Sequence, residues 1–386
     1  MDFDEDDTIL KPDLKSGQVI QLIEKIYDLH VIEIRELPSY CDQNFYIRVQ
    51  KNETSQAMTT EYVVKIINSA ESQKNADMFE VLQEIMKFLH LKGFPTPLPF
   101  PTKNGQSMSL ESIDYGLSKR KHLVRLLTFL PGNEIKTVPV TSHILFEVGK
   151  MAALIDKVLK EKFHHPNIGS LNRASFIWKL SNFLLMEQYI YVLGQSKERE
   201  VVEQVILQFK EKIQPNLNQF RPCLNHGDFN EVNILLEPKN VFHKNDMNEQ
   251  YRISGILDFD DMSYGCYVFE VAITIMYQMS KNKDPLSVGG YVLAGFESVM
   301  PLTSQERKAL FLLVNCRLSQ SIVLNRYNSL QCPDNKDYMM RSSETEAKLL
   351  LKLWNTGSES VEKIWFDIAD SYAKGKNEHN CKWNIL

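Results

Sequence analysis

The stretch His226-Gly-Asp228-Phe-Asn-Glu-Val-Asn233 sets a carboxylate five residues ahead of a carboxamide, and a second carboxylate, Asp258, follows in Ile-Leu-Asp-Phe-Asp-Asp, 256–261. Between them, two apolar runs, Ile234–Leu236 and Ile253–Leu257, flank a segment rich in Lys, Asn and Glu. That pattern predicts a β-hairpin. Closing it brings Asp228, Asn233 and Asp258 to one edge of a small sheet, with His226 supporting the loop. Asn233 and Asp258 are hard oxygen donors of the kind Mg²⁺ accepts while keeping water and phosphate oxygens as its other ligands. Mn²⁺ is an alternative occupant. Asp228 is placed to accept a hydrogen bond from an attacking hydroxyl and take its proton. A base for an alcohol beside a cation for phosphate oxygens spells phosphoryl transfer. A plain hairpin with solvated acidic turns would not be expected to match all three positions.

The rest of the chain must position that edge. With 386 residues, 43% of them hydrophobic and 24% charged, the sequence has room for more than one globular core. A net charge of −5 argues against an electrostatic grip on nucleic acid, which needs a basic face. The six cysteines, Cys41, Cys223, Cys266, Cys316, Cys332 and Cys381, show no paired metal spacing and read as reduced thiols. The acidic start, Met-Asp-Phe-Asp-Glu-Asp-Asp, is unlike a secretory leader. No apolar run approaches the roughly 20 residues needed to span a bilayer. A cytoplasmic protein with neither a nucleic-acid nor a membrane partner is expected; the sequence does not give its oligomeric state.

Residues 1–13 read as a flexible acidic tail, 14–130 as an N-terminal nucleotide-binding lobe, and 131–386 as a helical lobe holding the catalytic loop. After a first helix from Ser16, strands are expected at Val31–Leu37, Phe45–Gln50 and Glu61–Ile67. Lys65 stands alone among apolar neighbours in the third, where it would reach nucleotide phosphates. Helical spacing over Asp77–Leu91 puts Glu80 in position to hold that lysine, with Glu84 in reserve. The turn 38–45 would fold over the phosphates. It lacks glycine, so Ser39 and Asn44 are the candidate donors. Further strands at Ser107–Ile113 and His122–Phe129 lead to Thr-Phe-Leu-Pro-Gly, 128–132, a hinge where backbone groups of Phe129 and Leu130 would meet a purine edge. Beyond it, helices are expected at 144–159, 176–194, 198–212, 267–279, 286–296, 306–325, 343–353 and 358–374. The pair His164-His165 is set aside as a metal site.

A β-rich lobe with a lysine, a Pro-Gly hinge, and a helical lobe around His-Gly-Asp…Asn and Asp-Phe-Asp together resemble the aminoglycoside phosphotransferase and choline kinase superfamily. The resemblance runs from about Pro38 to Met279. It implies an α+β, two-lobed protein-kinase-like fold, with a small antiparallel-sheet N-lobe and a large mainly helical C-lobe. It also implies phosphorylation of a small-molecule hydroxyl. His-Gly-Asp in place of His-Arg-Asp, and no Ala-Pro-Glu-terminated activation segment, favour the small-molecule branch. Leu-Pro-Ser-Tyr-Cys-Asp-Gln-Asn-Phe (37–45), Leu-Val-Arg-Leu-Leu-Thr (123–128), Asp-Met-Ser-Tyr-Gly (261–265) and Val-Leu-Ala-Gly-Phe-Glu-Ser (292–298) extend the likeness. They imply transfer from GTP to the 5-hydroxyl of 5-hydroxy-L-lysine, in lysine and hydroxylysine catabolism.

Two positions depart from the superfamily pattern. Asp260 stands where kinases commonly carry the Gly of Asp-Phe-Gly, and Asn230 replaces a His common after the catalytic Asp. A substrate with two ammonium groups calls for carboxylates, and Asp260, Asp261, Glu231 and Glu270 lie near enough in sequence to serve. The alternative readings are a kinase for choline, ethanolamine or an aminoglycoside, and a nucleotide-binding pseudokinase. Retention of Lys65, Asp228, Asn233 and Asp258 speaks against the pseudokinase.

Overall fold

The computed structural model describes residues 11–50, 59–116, 118–239, 251–280, 282–331 and 333–383; residues 1–10 of the expected tail lie outside them. The chain divides into two compact units. One runs to Leu130 and adds His164–Ser170; the other holds Pro131–Phe163 and the rest of the chain from Leu171.

In the first unit, α1 (Ser16–Tyr27) precedes β1 (His30–Leu37), β2 (Gln43–Gln50) and β3 (Thr59–Ile66). A short α2 (Ser69–Lys74), unforeseen in the sequence, and α3 (Ala76–Leu91) follow, then β4 (Pro99–Phe100), β5 (Ser109–Asp114) and β6 (Lys119–Thr128). The strands form one antiparallel sheet in the order β1-β2-β3-β6-β4, with β5 also paired to β6. Strand alternation decides what each face carries. Phe45, Val64, Ile66, Val124 and Leu126 point into one core with Val19, Ile23 and Ile26 of α1. The intervening residues Asn44, Lys65 and Arg125 are register partners across β2, β3 and β6. They therefore share the opposite face. The Arg125 guanidinium lies 5.1 Å from the Phe79 ring, which places α3 over that face.

The second unit begins with β7 (Asn133–Glu134), α4 (Ser142–Lys162) and α5 (Lys197–Gln208), then β8 (Pro222–Asn225), β9 (Ile234–Pro238), β10 (Tyr251–Ile256) and β11 (Ser263–Cys266). Six helices close it: α6 (Tyr267–Ser280), α7 (Pro285–Glu297), α8 (Ser304–Gln331), α9 (Lys336–Met340), α10 (Ser343–Thr356) and α11 (Ser358–Trp383). The expected hairpin is β9 against β10, antiparallel with Ile256 opposite Ile234, and β7 adds a third strand. β8 and β11 form a separate antiparallel pair. Helix α8 is buried nearly all round from Ala309 to Asn325, the signature of a central core helix.

The continuous helix expected over 176–194 is not formed. The segment makes short 3-10 turns instead, at Leu180–Gln188 and Ile190–Leu193. The cause is tertiary. The carbonyl of Ile177 accepts from Gln320 at 2.6 Å and that of Trp178 from Arg317 at 2.9 Å. Asn182 takes the carbonyls of Ala174 and Phe176. Acceptors that a helix would use internally are spent on side chains.

Helices α4 and α7 cross through glycines. A Cβ on Gly149 would stand 2.0 Å from the Val292 carbonyl oxygen, and one on Gly295 would stand 1.9 Å from that of Phe146. Gly295→Ala is therefore expected to destabilise the protein by at least about 1–3 kcal/mol, the usual cost of overpacking. Chemical denaturation reads this directly, and an unchanged midpoint would show that the crossing can relax.

Candidate active site

The catalytic loop leaves β8 at Asn225 and enters β9 at Ile234; the second loop joins β10 to β11 through Leu257–Met262. Because β8 pairs with β11 and β9 with β10, both loops are tied at both ends. Two bonds join their middles. Leu257 N–H donates to the Asn233 carbonyl at 2.8 Å, and His226 Nε2 meets the Leu257 carbonyl at 3.0 Å. His226 is 1% exposed and lies between the rings of Phe229 and Phe259. Burial pushes its pKa below the ordinary value, so the ring is neutral. Its Nδ1 accepts weakly from Asp228 N–H at 3.4 Å, which assigns the proton to Nε2. His226 thus bridges the two loops with a neutral ring.

Asn230 closes the loop. Its side-chain oxygen accepts from the N–H groups of Val232 and Asn233, each at 2.9 Å, while its Nδ2 donates to Asp228 Oδ2 at 2.8 Å. Asn233 Nδ2 donates to the same Oδ2 at 2.8 Å and to the Asp228 carbonyl at 3.0 Å. Asp228 is therefore a carboxylate with one oxygen held by two amides and a side chain still 20% exposed. Asn233 has spent its nitrogen, leaving its carbonyl oxygen as the atom able to face a cation.

Asp258 is exposed and has φ 58°, ψ 74°. A left-handed conformation costs a non-glycine residue roughly 1–2 kcal/mol, and here it aims the turn after β10. Among the described residues, no three His, Cys, Asp or Glu side chains group to hold a metal by themselves. The donor set nonetheless fits Mg²⁺. Two hard oxygens from Asn233 and Asp258 are the sparse protein contribution that this ion takes when phosphate and water complete its shell.

Behind the loop lies a residue the motif did not reveal. Arg317 of α8 is fully buried, with Nη2 donating to the Gly227 carbonyl at 3.0 Å and to Tyr277 Oη at 2.8 Å, and standing 3.7 Å from Asp228 Oδ1. Its Nη1 donates to the Trp178 carbonyl and to Gln320 Oε1. Burying a guanidinium costs several kcal/mol, which the acceptors of Nη1 and Nη2 offset in part while Nε makes no hydrogen bond. No sequence signal distinguished Arg317 from the other polar residues of α8.

The acidic candidates separate. Glu270 is fully buried on α6, and its Oε2 accepts the Gly227 N–H at 3.1 Å. Burial pushes its pKa up to about 7. It cannot meet a substrate ammonium, so that expectation is corrected: Glu270 anchors the loop. Glu231 is 7% exposed, as enclosed as Asn233, and stays a candidate. Asp261 is half-buried, and burial together with the Asp228 charge raises its pKa to about 7 against the pull of Arg173 and Arg317. Asp260 is half-buried, and its carbonyl accepts from Arg173 at 2.6 Å. Asp260 and Asp261 remain candidates. A cavity of about 580 Å³ lined by Lys212, Phe220, Lys308 and Trp354 shares no residue with these loops.

On the sheet unit, Lys65 is 7% exposed, on the face with Asn44 and Arg125. Glu80, expected to hold it, is exposed, and Glu84 pairs with Lys87 at 2.8 Å; the fully buried polar residue of α3 is Gln83. A buried lysine gains little from an exposed carboxylate, so the anchoring role does not follow from the position of Glu80. Ser39 donates its hydroxyl to the Asp42 carbonyl at 2.5 Å within its own turn, and Phe129 donates its N–H to the Glu61 carbonyl at 3.1 Å. Those two expected donors are engaged. Asn44, Leu130 and the Phe129 carbonyl stay as candidates.

A model of the phosphotransferase enzyme family matches residues 33–306. The chain is 50% identical to a hydroxylysine kinase of Xenopus laevis over 362 residues, covering 94% of this chain and 96% of that protein. Among solved structures, a microcompartment-associated aminopropanol kinase superposes with TM-score 0.62 at 13% identity, over 88% of this chain and 98% of its own. An amicoumacin kinase in complex with AMP-PNP and Ca²⁺ gives TM-score 0.62 at 15% identity, over 91% and 94%.

Proposed function

The chain belongs to the phosphotransferase enzyme family, with its protein-kinase-like fold, and from that premise we propose that it transfers the γ-phosphate of GTP to the 5-hydroxyl of 5-hydroxy-L-lysine. At the coarser level it is a small-molecule kinase acting on an alcohol. The observation that carries the substrate assignment is the 50% identity to a hydroxylysine kinase across 94% of this chain. The choice of GTP rests on the sequence resemblance. A cytoplasmic place in lysine and hydroxylysine breakdown belongs to the same proposal. Among the described residues, no helix is long and apolar enough to cross a membrane.

In this reading, Asp228 receives the acceptor hydroxyl proton as the new oxygen–phosphorus bond forms. The bond between the γ-phosphorus and its bridging oxygen breaks, and the nucleoside diphosphate leaves with that oxygen. The amide groups of Asn230 and Asn233 fix one Asp228 oxygen, and the other stands 3.7 Å from Arg317. Asn233 and Asp258 would hold Mg²⁺, which neutralises charge on the phosphates when bound. Lys65 is the proposed phosphate ligand on the sheet unit. Asp260 and Asp261 offer negative charge to the substrate ammonium groups.

An acceptor panel tests the assignment. With GTP and Mg²⁺, 5-hydroxylysine should be phosphorylated and lysine should not, since lysine lacks the acceptor oxygen. Choline and kanamycin should be poor, because neither carries an amino-acid zwitterion. Much faster turnover of choline or an aminoglycoside would keep the kinase and discard the substrate.

A further inference from the structure

We propose that Arg317 is a positioning residue for the transfer, fixing the Gly227 peptide and setting the direction in which the Asp228 carboxylate points. The proposal rests on the reading of Asp228 as the group that meets the acceptor hydroxyl. Arg317 is fully buried, so it touches neither substrate. Its influence passes through three neighbours of one nitrogen: the Gly227 carbonyl at 3.0 Å, Tyr277 Oη at 2.8 Å and Asp228 Oδ1 at 3.7 Å.

The other side of Gly227 is held as well, its N–H bound to Glu270 at 3.1 Å. Gly227 has φ 79°, and a Cβ there would come within 2.9 Å of the Asp261 carbonyl oxygen. The residue before the proposed base is therefore gripped at both polar atoms by buried ionisable side chains. The guanidinium itself is steadied by the rings of Trp178 and Tyr277, at 5.0 and 5.3 Å, and by Gln320. Arg317 and Glu270 come from two different helices, so the loop is referenced to the core of the helical unit. A catalytic carboxylate displaced by about 1 Å can lose on the order of 10² in rate, which is the effect such a grip would prevent.

Arginine also ties α8 to the Trp178 carbonyl through Nη1, and a purely structural role would be confined to that stitch. The test separates the two. Full-length Arg317→Ala, Arg317→Lys and Arg317→Met are assayed for kcat and for KM of GTP and 5-hydroxylysine, after confirming the folded fraction. Positioning predicts that kcat falls about 10- to 100-fold in the Ala variant while both KM values stay within about threefold. Lys should recover part of the loss. Added guanidinium, below concentrations that affect the wild type, should raise kcat of the Ala variant and not of the Met variant, whose side chain fills the space. If the Ala variant fails to fold, Arg317→Lys and Tyr277→Phe carry the test, and kcat must fall in both at unchanged KM. Wild-type kcat in folded Arg317 variants, or a loss that only tracks the unfolded fraction and ignores guanidinium, overturns the proposal. Asp228→Asn, run alongside, keeps the premises apart. If it is inactive while the Arg317 variants are normal, positioning fails alone; if it is active, the reading of Asp228 fails.

Discussion

Asp228→Asn is expected to lower kcat by about 10²–10⁴-fold, the range that a positioned general base contributes, with nucleotide affinity little changed. The substitution is close to isosteric, and the new amide oxygen can still accept from Asn230 and Asn233, which now hold Oδ2 at 2.8 Å each. The loop should therefore keep its shape. What disappears is the charge able to take a proton from the acceptor. The amide –NH₂ would then face the place where the hydroxyl should donate, and it would also stand near Arg317, where the wild type has a carboxylate oxygen at 3.7 Å. Single-turnover kinetics and a separate nucleotide-binding titration check both halves. Near wild-type kcat would remove Asp228 from the chemistry.

Asp258→Ala should cost at least about 10³-fold, the upper range seen when one electrostatic stabiliser of a transition state is deleted. Asp258 would supply the only formal negative charge among the two proposed metal ligands, since Asn233 contributes a neutral carbonyl. Alanine should also find the left-handed backbone at φ 58° unfavourable, so a thermal melt must accompany the assay. The distinguishing readout is binding: the wild type should bind nucleotide more tightly with Mg²⁺ than without, and the variant should lose that difference. Ca²⁺, which tolerates looser geometry than Mg²⁺, should support binding better than turnover. Full activity in excess chelator would contradict the role given to Asn233 and Asp258.

The elements that were legible in the sequence are those whose information is local. The β9–β10 hairpin brackets its own motif, and hydrogen bonds join His226 and Asn233 to Leu257 across its base. The strand around Lys65 was legible from its apolar neighbours, and the register sets Asn44 and Arg125 beside it. What failed was non-local. Helical spacing over 176–194 was genuine, but Arg317 and Gln320, more than a hundred residues later, take the carbonyls a helix needs. Glu270 looked available because its helix begins just after the metal-side turn. Yet α6 is enclosed along almost its whole length, so no polar face marks which side meets solvent. Arg317 sits on a helix buried all round for the same reason, and a charge in such a helix gives no hint of its partner.

The most direct test of the central claim is identification of the product formed by purified full-length protein with GTP, Mg²⁺ and 5-hydroxy-L-lysine. Phosphorus NMR and mass spectrometry should find a phosphate monoester on the C5 oxygen, formed in equal amount with GDP and absent when lysine replaces hydroxylysine. GDP release with no phosphorylated amino acid, or phosphate carried on nitrogen, would contradict the account.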